Sequence, residues 1–273
     1  MELVFRQVKT DEQSIVAYVA LLKIVFAKED AFSKEYITWL YKNNPFGEAV
    51  GFDAYDGDIL AAHYVTTPVC YTYKGKKIKG LLSLNTATHP DYQGKGMFTK
   101  LADQTYKYAA ENGFEFIIGV ANQNSTHGFL KKLGFKLISP LDVYLIIGNA
   151  IRPLVNPAEF FTSCVDDNYI KWRMANPQGK YFTNSGLHFS LTHNAMIDVC
   201  MGTKYTADSK PGRNPKVRMS MGVNNTPKAL LKFKLPDRLK PSPLNLILKP
   251  LSADFPDLQK KDIFFEVIDF DAY

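Results

Sequence analysis

The chain has 273 residues, of which 46% are hydrophobic and 22% charged, with 17 glycines and 15 prolines, a balance that excludes a disordered or fibrous protein. That length holds one large domain or two of ordinary size. A net charge of +6 and a pI near 9.0 suit a polyanionic ligand, but the lysines are scattered rather than gathered in a stripe with interleaved aromatics, which argues against a nucleic-acid partner.

At the amino terminus, Met1-Glu2-Leu3-Val4-Phe5-Arg6 flanks a short apolar stretch with charge, so no secretory leader is expected. No uncharged apolar run reaches the ~18 residues of a membrane span; the stretch from Tyr144 to Ile151 is short and follows Asp142. A cytoplasmic chain without membrane contact is therefore expected. Residues 2 to 8 read as a strand. Asp11 then caps a helix with Ile15, Val19, Leu22 and Phe26 at helical spacing, and Ser33 caps a second that carries Ile37, Leu40 and Tyr41 and stops at Asn44-Pro45. From Val50 to Tyr73 short apolar segments broken at Asp56-Gly57-Asp58 and Thr67-Pro68 predict antiparallel strands. A turn at Lys74-Gly75-Lys76 leads into a strand from Gly80 to Thr88. A glycine-bearing loop follows at Gln93 to Gly96, then a helix from Met97 to Asn112 closed by Gly113, a strand from Phe114 to Val120 and a helix from Asn124 to Leu133 ended by Gly134. Phe135 to Ile147, kinked at Pro140, is expected to complete the sheet. Hairpins mixed with helical crossovers predict an α/β fold of the mixed-sheet, α+β kind.

Pro153 and Pro157 mark a junction, so the expected division is 1–150 and 151–273, the latter a second α/β domain. Tyr36-Ile37-Thr38-Trp39 with Asn44-Pro45 is echoed by Tyr169-Ile170-Lys171-Trp172 with Asn176-Pro177. This is either a chance match between two helix ends or a degenerate repeat of the first unit, one that has lost its glycine loop and serves only to shape a pocket. Cys70, Cys164 and Cys200 fall in none of the close pairings of zinc or redox motifs and are expected to be reduced, mostly buried thiols.

The informative stretch is Thr88-His89-Pro90-Asp91-Tyr92-Gln93-Gly94-Lys95-Gly96-Met97-Phe98-Thr99, between an apolar strand and an amphipathic helix. Gly94 and Gly96 let the backbone turn tightly and approach a ligand, the helix start offers unpaired N–H groups and the positive end of its dipole, and Lys95 adds charge. Such a loop suits a phosphate. It is neither a P-loop nor a dinucleotide fingerprint, which need Gly-Lys-Ser/Thr after four residues or a third glycine. Downstream, Asn122-Gln123-Asn124-Ser125 opens a short helix that closes on Lys131-Lys132-Leu133-Gly134-Phe135.

Together the Gln-Gly-Lys-Gly loop after a Thr-His-Pro step and the Asn-rich helix ending in Lys-Lys-Leu-Gly-Phe resemble the GNAT superfamily of acyl-CoA-dependent N-acyltransferases, over roughly residues 1 to 148. The resemblance implies that loop amides hold the pyrophosphate of the co-substrate acyl-CoA and that the preceding strand splays from its neighbour to pair with pantetheine. Carried over, Ala87 and Thr88 would contact pantetheine, Gln93, Gly94, Lys95, Gly96, Met97 and Phe98 the phosphates, and Asn124, or else Asn122, the pantetheine again. Two departures stand out. Phe98 crowds the helix start, and Leu130 occupies the place where many members carry a tyrosine that protonates the leaving thiolate.

Transfer to an amine needs a neutral amine, a polarised thioester and an exit for the thiolate. His63, on a strand beside the expected cleft, is a candidate base, or else a histidine satisfied within the sheet. His127, three residues from both Asn124 and Leu130, turns toward the cofactor side, as a second catalytic candidate or else as a mere contact to coenzyme A. Tyr144 is a candidate proton donor, chosen because its strand should border the thioester. In the second half His188 and His193, with Ser185, Ser190, Thr192 and Asn194, form either an acceptor surface or a solvated loop, and no metal site is expected. The expected acceptor is the amine of a small metabolite bound between the halves. Resemblance to enzymes that acylate nucleotide-linked amino sugars suggests that class. A protein or peptide N-acetyltransferase and a non-catalytic acyl-CoA sensor are the alternatives.

Overall fold

The computed structural model describes residues 3–27, 31–147, 159–179, 181–184, 187–191, 197–202, 217–226, 229, 231–240 and 244–270. The chain opens with β1 (Val4–Gln7), α1 (Glu12–Phe26) and α2 (Lys34–Tyr41). The helices begin where the sequence supplies caps: Asp11 accepts from the Ser14 N–H at 3.0 Å and Ser33 from that of Tyr36 at 3.1 Å. Next come β2 (Val50–Asp56), β3 (Ile59–Tyr73) and β4 (Lys76–Thr88). Lys74 and Gly75, with φ of 49° and 78°, make the tight turn between β3 and β4.

The expected break at Thr67-Pro68 does not occur, and β3 runs through it. β2 leaves β3 at Thr66, and the Pro68 carbonyl points along that vacated flank to accept from Asn44 Nδ2 at 3.0 Å. The proline nitrogen faces the same flank, so its missing N–H takes nothing from the ladder.

α3 (Met97–Glu111), β5 (Phe116–Ala121), α4 (Gln123–Lys132), β6 (Lys136–Pro140) and β7 (Asp142–Ile147) finish the first half. The second half supplies β8 (Thr162–Ser163), α5 (Asp167–Met174), β9 (Tyr181–Asn184), β10 (Leu187–Leu191), β11 (Ile197–Gly202), β12 (Val217–Val223), β13 (Leu231–Lys234), β14 (Asn245–Pro250) and β15 (Phe265–Glu266). No helix among the described residues is long and apolar enough to cross a membrane.

These strands form two sheets of matching design. The first runs β1-β2-β3-β4-β5-β14-β6 and the second β9-β10-β11-β12-β7-β13. In the first, three antiparallel steps lead to one parallel step, β4 to β5, in the second two lead to β11 to β12, and in each two antiparallel steps follow. In each sheet the strand that follows the parallel pair, β14 in the first and β7 in the second, comes from the other half of the chain. β7 therefore does not complete the first sheet, as its position after β6 suggests. It lies between β12 and β13, and β14 takes the place between β5 and β6. Proximity in sequence favours a β6–β7 hairpin, but only Leu141 separates the two strands, and they part to opposite sheets.

The match extends to α2 and α5. Asp166 caps α5 through the Tyr169 N–H at 2.9 Å as Ser33 caps α2. Beyond the helices Asn44 Oδ1 accepts from Phe46 N at 2.9 Å and Asn176 Oδ1 from Gln178 N at 3.0 Å. Gly47 N then donates to Asn44 O and Gly179 N to Asn176 O, at 3.1 and 3.2 Å. The same Asn-Pro-x-Gly chemistry closes the same turn twice.

The first sheet is apolar on both faces. Leu246 and Leu248 of β14 enter one core with α1, α2 and α5, whereas Ile247 enters the other, under α3 and α4.

Candidate functional site

β4 and β5 pair from Gly80 opposite Phe116 to Ser83 opposite Gly119 and no further. β4 nonetheless follows β3 as far as Thr88, and β5 follows β14 as far as Ala121. The two parallel strands thus splay. The cause is a bulge: Leu84 lies opposite Val65 and Ala87 opposite His63, leaving Asn85 and Thr86 to share Tyr64. Asn85 takes a left-handed φ of 44°, a conformation that asparagine tolerates better than most residues. A bulge bends its strand, and the main chain from Leu84 to Thr88 faces the opening on its β5 side.

The glycine loop lies at the mouth of this opening. His89 accepts from Asp91 N at 3.3 Å and starts a short turn, Pro90–Tyr92. Gly94 and Gly96 follow with φ of 77° and 74°, and a Cβ on either would meet no atom within 4 Å. Backbone conformation, not crowding, therefore calls for glycine here, and the space above the main chain is open. Gly96 is the N-cap of α3 and supplies no side-chain acceptor, so the first N–H groups of a 15-residue helix have no capping side chain. Lys95 is exposed, its Nζ 4.7 Å from the centroid of Tyr92, whose hydroxyl is anchored on Asp56 at 2.8 Å. Met97 is buried. Phe98 packs its ring between Tyr64 and Phe129, at 5.9 and 5.6 Å, so the core absorbs the bulk expected to crowd the helix start. An extended anion with a flexible arm fits these groups.

On the far side of the opening, Asn122 caps α4. Its Oδ1 accepts from Asn124 N and Ser125 N, both at 3.0 Å, and Ser125 Oγ accepts from Asn122 N at 3.1 Å. Those bonds commit Asn122 to the cap and leave Asn124 as the exposed asparagine of the first turn. His127 is exposed one turn on, and Leu130 packs into the core under α3 and α4. Asn245 of β14 donates to Thr126 Oγ1 at 3.0 Å, tying the exchanged strand to this helix.

His63 is fully buried. Its Nδ1 lies 2.6 Å from Asp53 Oδ1 and its Nε2 3.3 Å from the Tyr41 hydroxyl, with Tyr18 stacked on the ring at 4.3 Å. Tyr18 donates to the other Asp53 oxygen at 2.8 Å, and Asn85 Nδ2 donates to Tyr41 at 3.3 Å. Burial pushes the Tyr18 and Tyr41 hydroxyls well above the ordinary tyrosine range. His63 thus has no direct opening to a cleft; a chain from Asp53 through His63 and Tyr41 ends on the bulge residue Asn85. Asn85 also lines a cleft of about 80 Å³ between the halves, walled by Leu40, Pro68, Tyr169, Trp172 and Arg173. Sequence reasoning missed Tyr41 and Asn85. An asparagine inside an apolar strand signals a possible left-handed bulge, whereas nothing local marks Tyr41.

Tyr144 does not border the opening. Its strand is β7, in the second sheet, where it lies opposite Ser220 and Lys234 with its hydroxyl 3.3 Å from Thr226 Oγ1. The strand beside β5 is β14. His188 lies on β10, opposite Thr183 and Gly202, with Ser190 on the same strand; Ser185, Thr192, His193 and Asn194 fall outside the described residues.

A mixed sheet whose central parallel strands splay beside a glycine-capped helix is the architecture of GNAT acyltransferases. Residues 5–138 match the family model described as an acetyltransferase (GNAT) domain. A search of curated proteins returned no match. Among solved structures, the chain is similar to a probable N-acyltransferase from Enterococcus faecalis V583 (9% identity, TM-score 0.64, 92% of this chain and 73% of that one). It is also similar to a GCN5-related N-acetyltransferase from Anabaena variabilis ATCC 29413 (13%, 0.61, 91% and 73%) and to Eis1 from Mycobacterium abscessus (10%, 0.58, 92% and 74%). The shared fold extends over both sheets.

Proposed function

We propose that the protein is an N-acyltransferase that moves an acyl group from acyl-CoA to the amine of a small acceptor. The observation that carries this reading is the bulge-driven splay of β4 from β5 beside the uncapped start of α3. An acyl-CoA laid there would place its pyrophosphate on the amides and lysine of residues 93–98 and its pantetheine along Ala87 and Thr88, with Asn124 on the facing helix. The acceptor would come from the opposite side, through the cleft walled by α2, α5 and Asn85. In the reaction the amine nitrogen bonds to the thioester carbonyl carbon, the C–S bond breaks, and the thiolate of coenzyme A takes up the proton that the amine loses. Free N–H groups of the splayed β4 backbone supply the polarisation of the carbonyl.

A second reading, a sensor that binds acyl-CoA without turnover, is favoured by Leu130 at the place of the family's thiolate acid and by the complete burial of His63. Release of free thiol from acetyl-CoA and longer acyl-CoAs, measured against a panel of amines that includes nucleotide-linked amino sugars, separates the two. Turnover with one acceptor establishes the enzyme and its substrate class. Binding of acyl-CoA with no turnover across the panel favours the sensor, and absence of binding rejects both.

A further inference from the structure

β8 lies antiparallel on β3 with Ser163 opposite Tyr71 and Thr162 opposite Thr72. The pairing continues one step, where Cys164 N donates to Cys70 O at 2.8 Å. Two cysteines 94 positions apart thus become cross-strand neighbours, with their sulfur atoms 2.7 Å from each other. A disulfide of about 2.05 Å needs only a short further approach. Both side chains are half-buried free thiols, unlike the buried Cys200. Their environments differ in the way an attacking and a resolving thiol require. The Cys164 S–H shared with Cys70, helped by Lys77 and Lys79 and opposed by burial, brings the Cys70 thiol down to about 7, and the same contact pushes Cys164 upward.

We propose that Cys70 and Cys164 are a redox-active pair that closes to a disulfide when the protein meets a peroxide. The Cys70 thiolate attacks one peroxide oxygen, the O–O bond breaks, and protonation of the departing oxygen gives water (or an alcohol) and a sulfenic acid on Cys70. The Cys164 sulfur then attacks the Cys70 sulfur, the S–O bond breaks, and a water leaves with the Cys164 proton. In total two electrons pass from the thiols to the peroxide. Cys70 is next to Val69, and Cys164 lies two residues before Asp166, the cap of α5; both segments form walls of the cleft between the halves. The bond would tie α5 to β3. This pairing is independent of the reaction proposed above.

The test uses the full chain, reduced, freed of reductant and treated with hydrogen peroxide. Thiols are then counted under denaturing conditions and the intact mass is read. All three thiols should be free before treatment and only Cys200 after it, with a loss of two hydrogens, a digest in which the Cys70 and Cys164 peptides are joined, and full reversal by a dithiol reductant. Cys200→Ser should lose both remaining thiols in the same way. Cys164→Ser should gain oxygen at Cys70, trapped by a sulfenic-acid reagent, with no loss of two hydrogens. Survival of all three thiols, oxygen addition to the unaltered chain without linkage, or a linkage that includes Cys200 would each overturn the proposal.

Discussion

The indoles of Trp39 and Trp172 stack with centroids 4.5 Å apart and planes 13° from parallel, and each donates its Nε1–H to the other's main-chain carbonyl, Trp39 at 2.7 Å and Trp172 at 3.1 Å. The exchange is reciprocal, as a local two-fold relation between α2 and α5 requires. Arg173 closes the stack, with its guanidinium carbon 4.7 Å from the Trp172 ring. Replacing Trp172 by phenylalanine keeps the ring but strands the buried Trp39 carbonyl, a loss of about 1–3 kcal/mol; alanine should cost about 3–5 kcal/mol. The reciprocity predicts similar losses at Trp39, read from denaturant midpoints at constant slope.

Gly96→Asp sets a carboxylate where phosphate charge would lie and forces a β-carbon into a left-handed conformation. Binding of coenzyme A, measured by calorimetry, should disappear while the fold survives. Unchanged affinity would remove the loop from the site.

The chain from Asp53 to Asn85 separates stability from catalysis. Tyr41→Phe releases Asn85 and should lower kcat by roughly tenfold, about 1.4 kcal/mol, with coenzyme A affinity unchanged. His63→Ala leaves the Asp53 carboxylate buried without its imidazole and should cost about 3–5 kcal/mol of stability. If Tyr41→Phe left kcat as it was, the network would be purely a packing device.

The strand exchange makes a prediction about fragments. Residues 1–150 alone lack β14, so β5 and β6 both present open edges. That fragment should aggregate or melt without cooperativity, and co-expression with 151–273 should restore a soluble pair. A monomeric 1–150 with a sharp transition would contradict it.

Alkaline unfolding follows from the buried tyrosines. Burial pushes Tyr64 up to about 12 and moves Tyr18, Tyr41, Tyr71 and Tyr106 upward as well. Folded values above the ordinary value near ~10 mean stability fully present below pH ~10 and lost as pH rises through about 12. Tyrosinate absorbance and circular dichroism should change together; ionisation of these residues near pH 10 in an intact fold would contradict the burial.

Local chemistry made much of this legible in advance. Asp11 and Ser33 announced their helices because capping depends on one side chain, and Gly94 and Gly96 announced the loop because few other residues adopt its backbone. The echo around the two tryptophans was visible as well, though not that the two copies meet. What stayed hidden was non-local. The partition of β6 and β7 between sheets depends on partners about a hundred residues away, and their short apolar runs serve either sheet equally. The burial of His63 depends on Tyr18 and Tyr41, which reach it from two helices, and the pairing of Cys70 with Cys164 on a two-residue strand too short to show a pattern.

The exchange of β7 and β14 also bears on how the protein is made. As the chain leaves the ribosome, the strands of the first sheet are complete by Pro140 except for the short β8 on β3 and the strand between β5 and β6, which ends at Pro250. Until that segment emerges, the β5 edge stays open while β7 waits for β12. Neither half can lock early, so closure depends on contacts of large sequence separation, the kind that slow folding. The nascent chain therefore carries an exposed strand edge from the emergence of Ala121 to that of Pro250, a period in which a holding chaperone would have a defined site to guard.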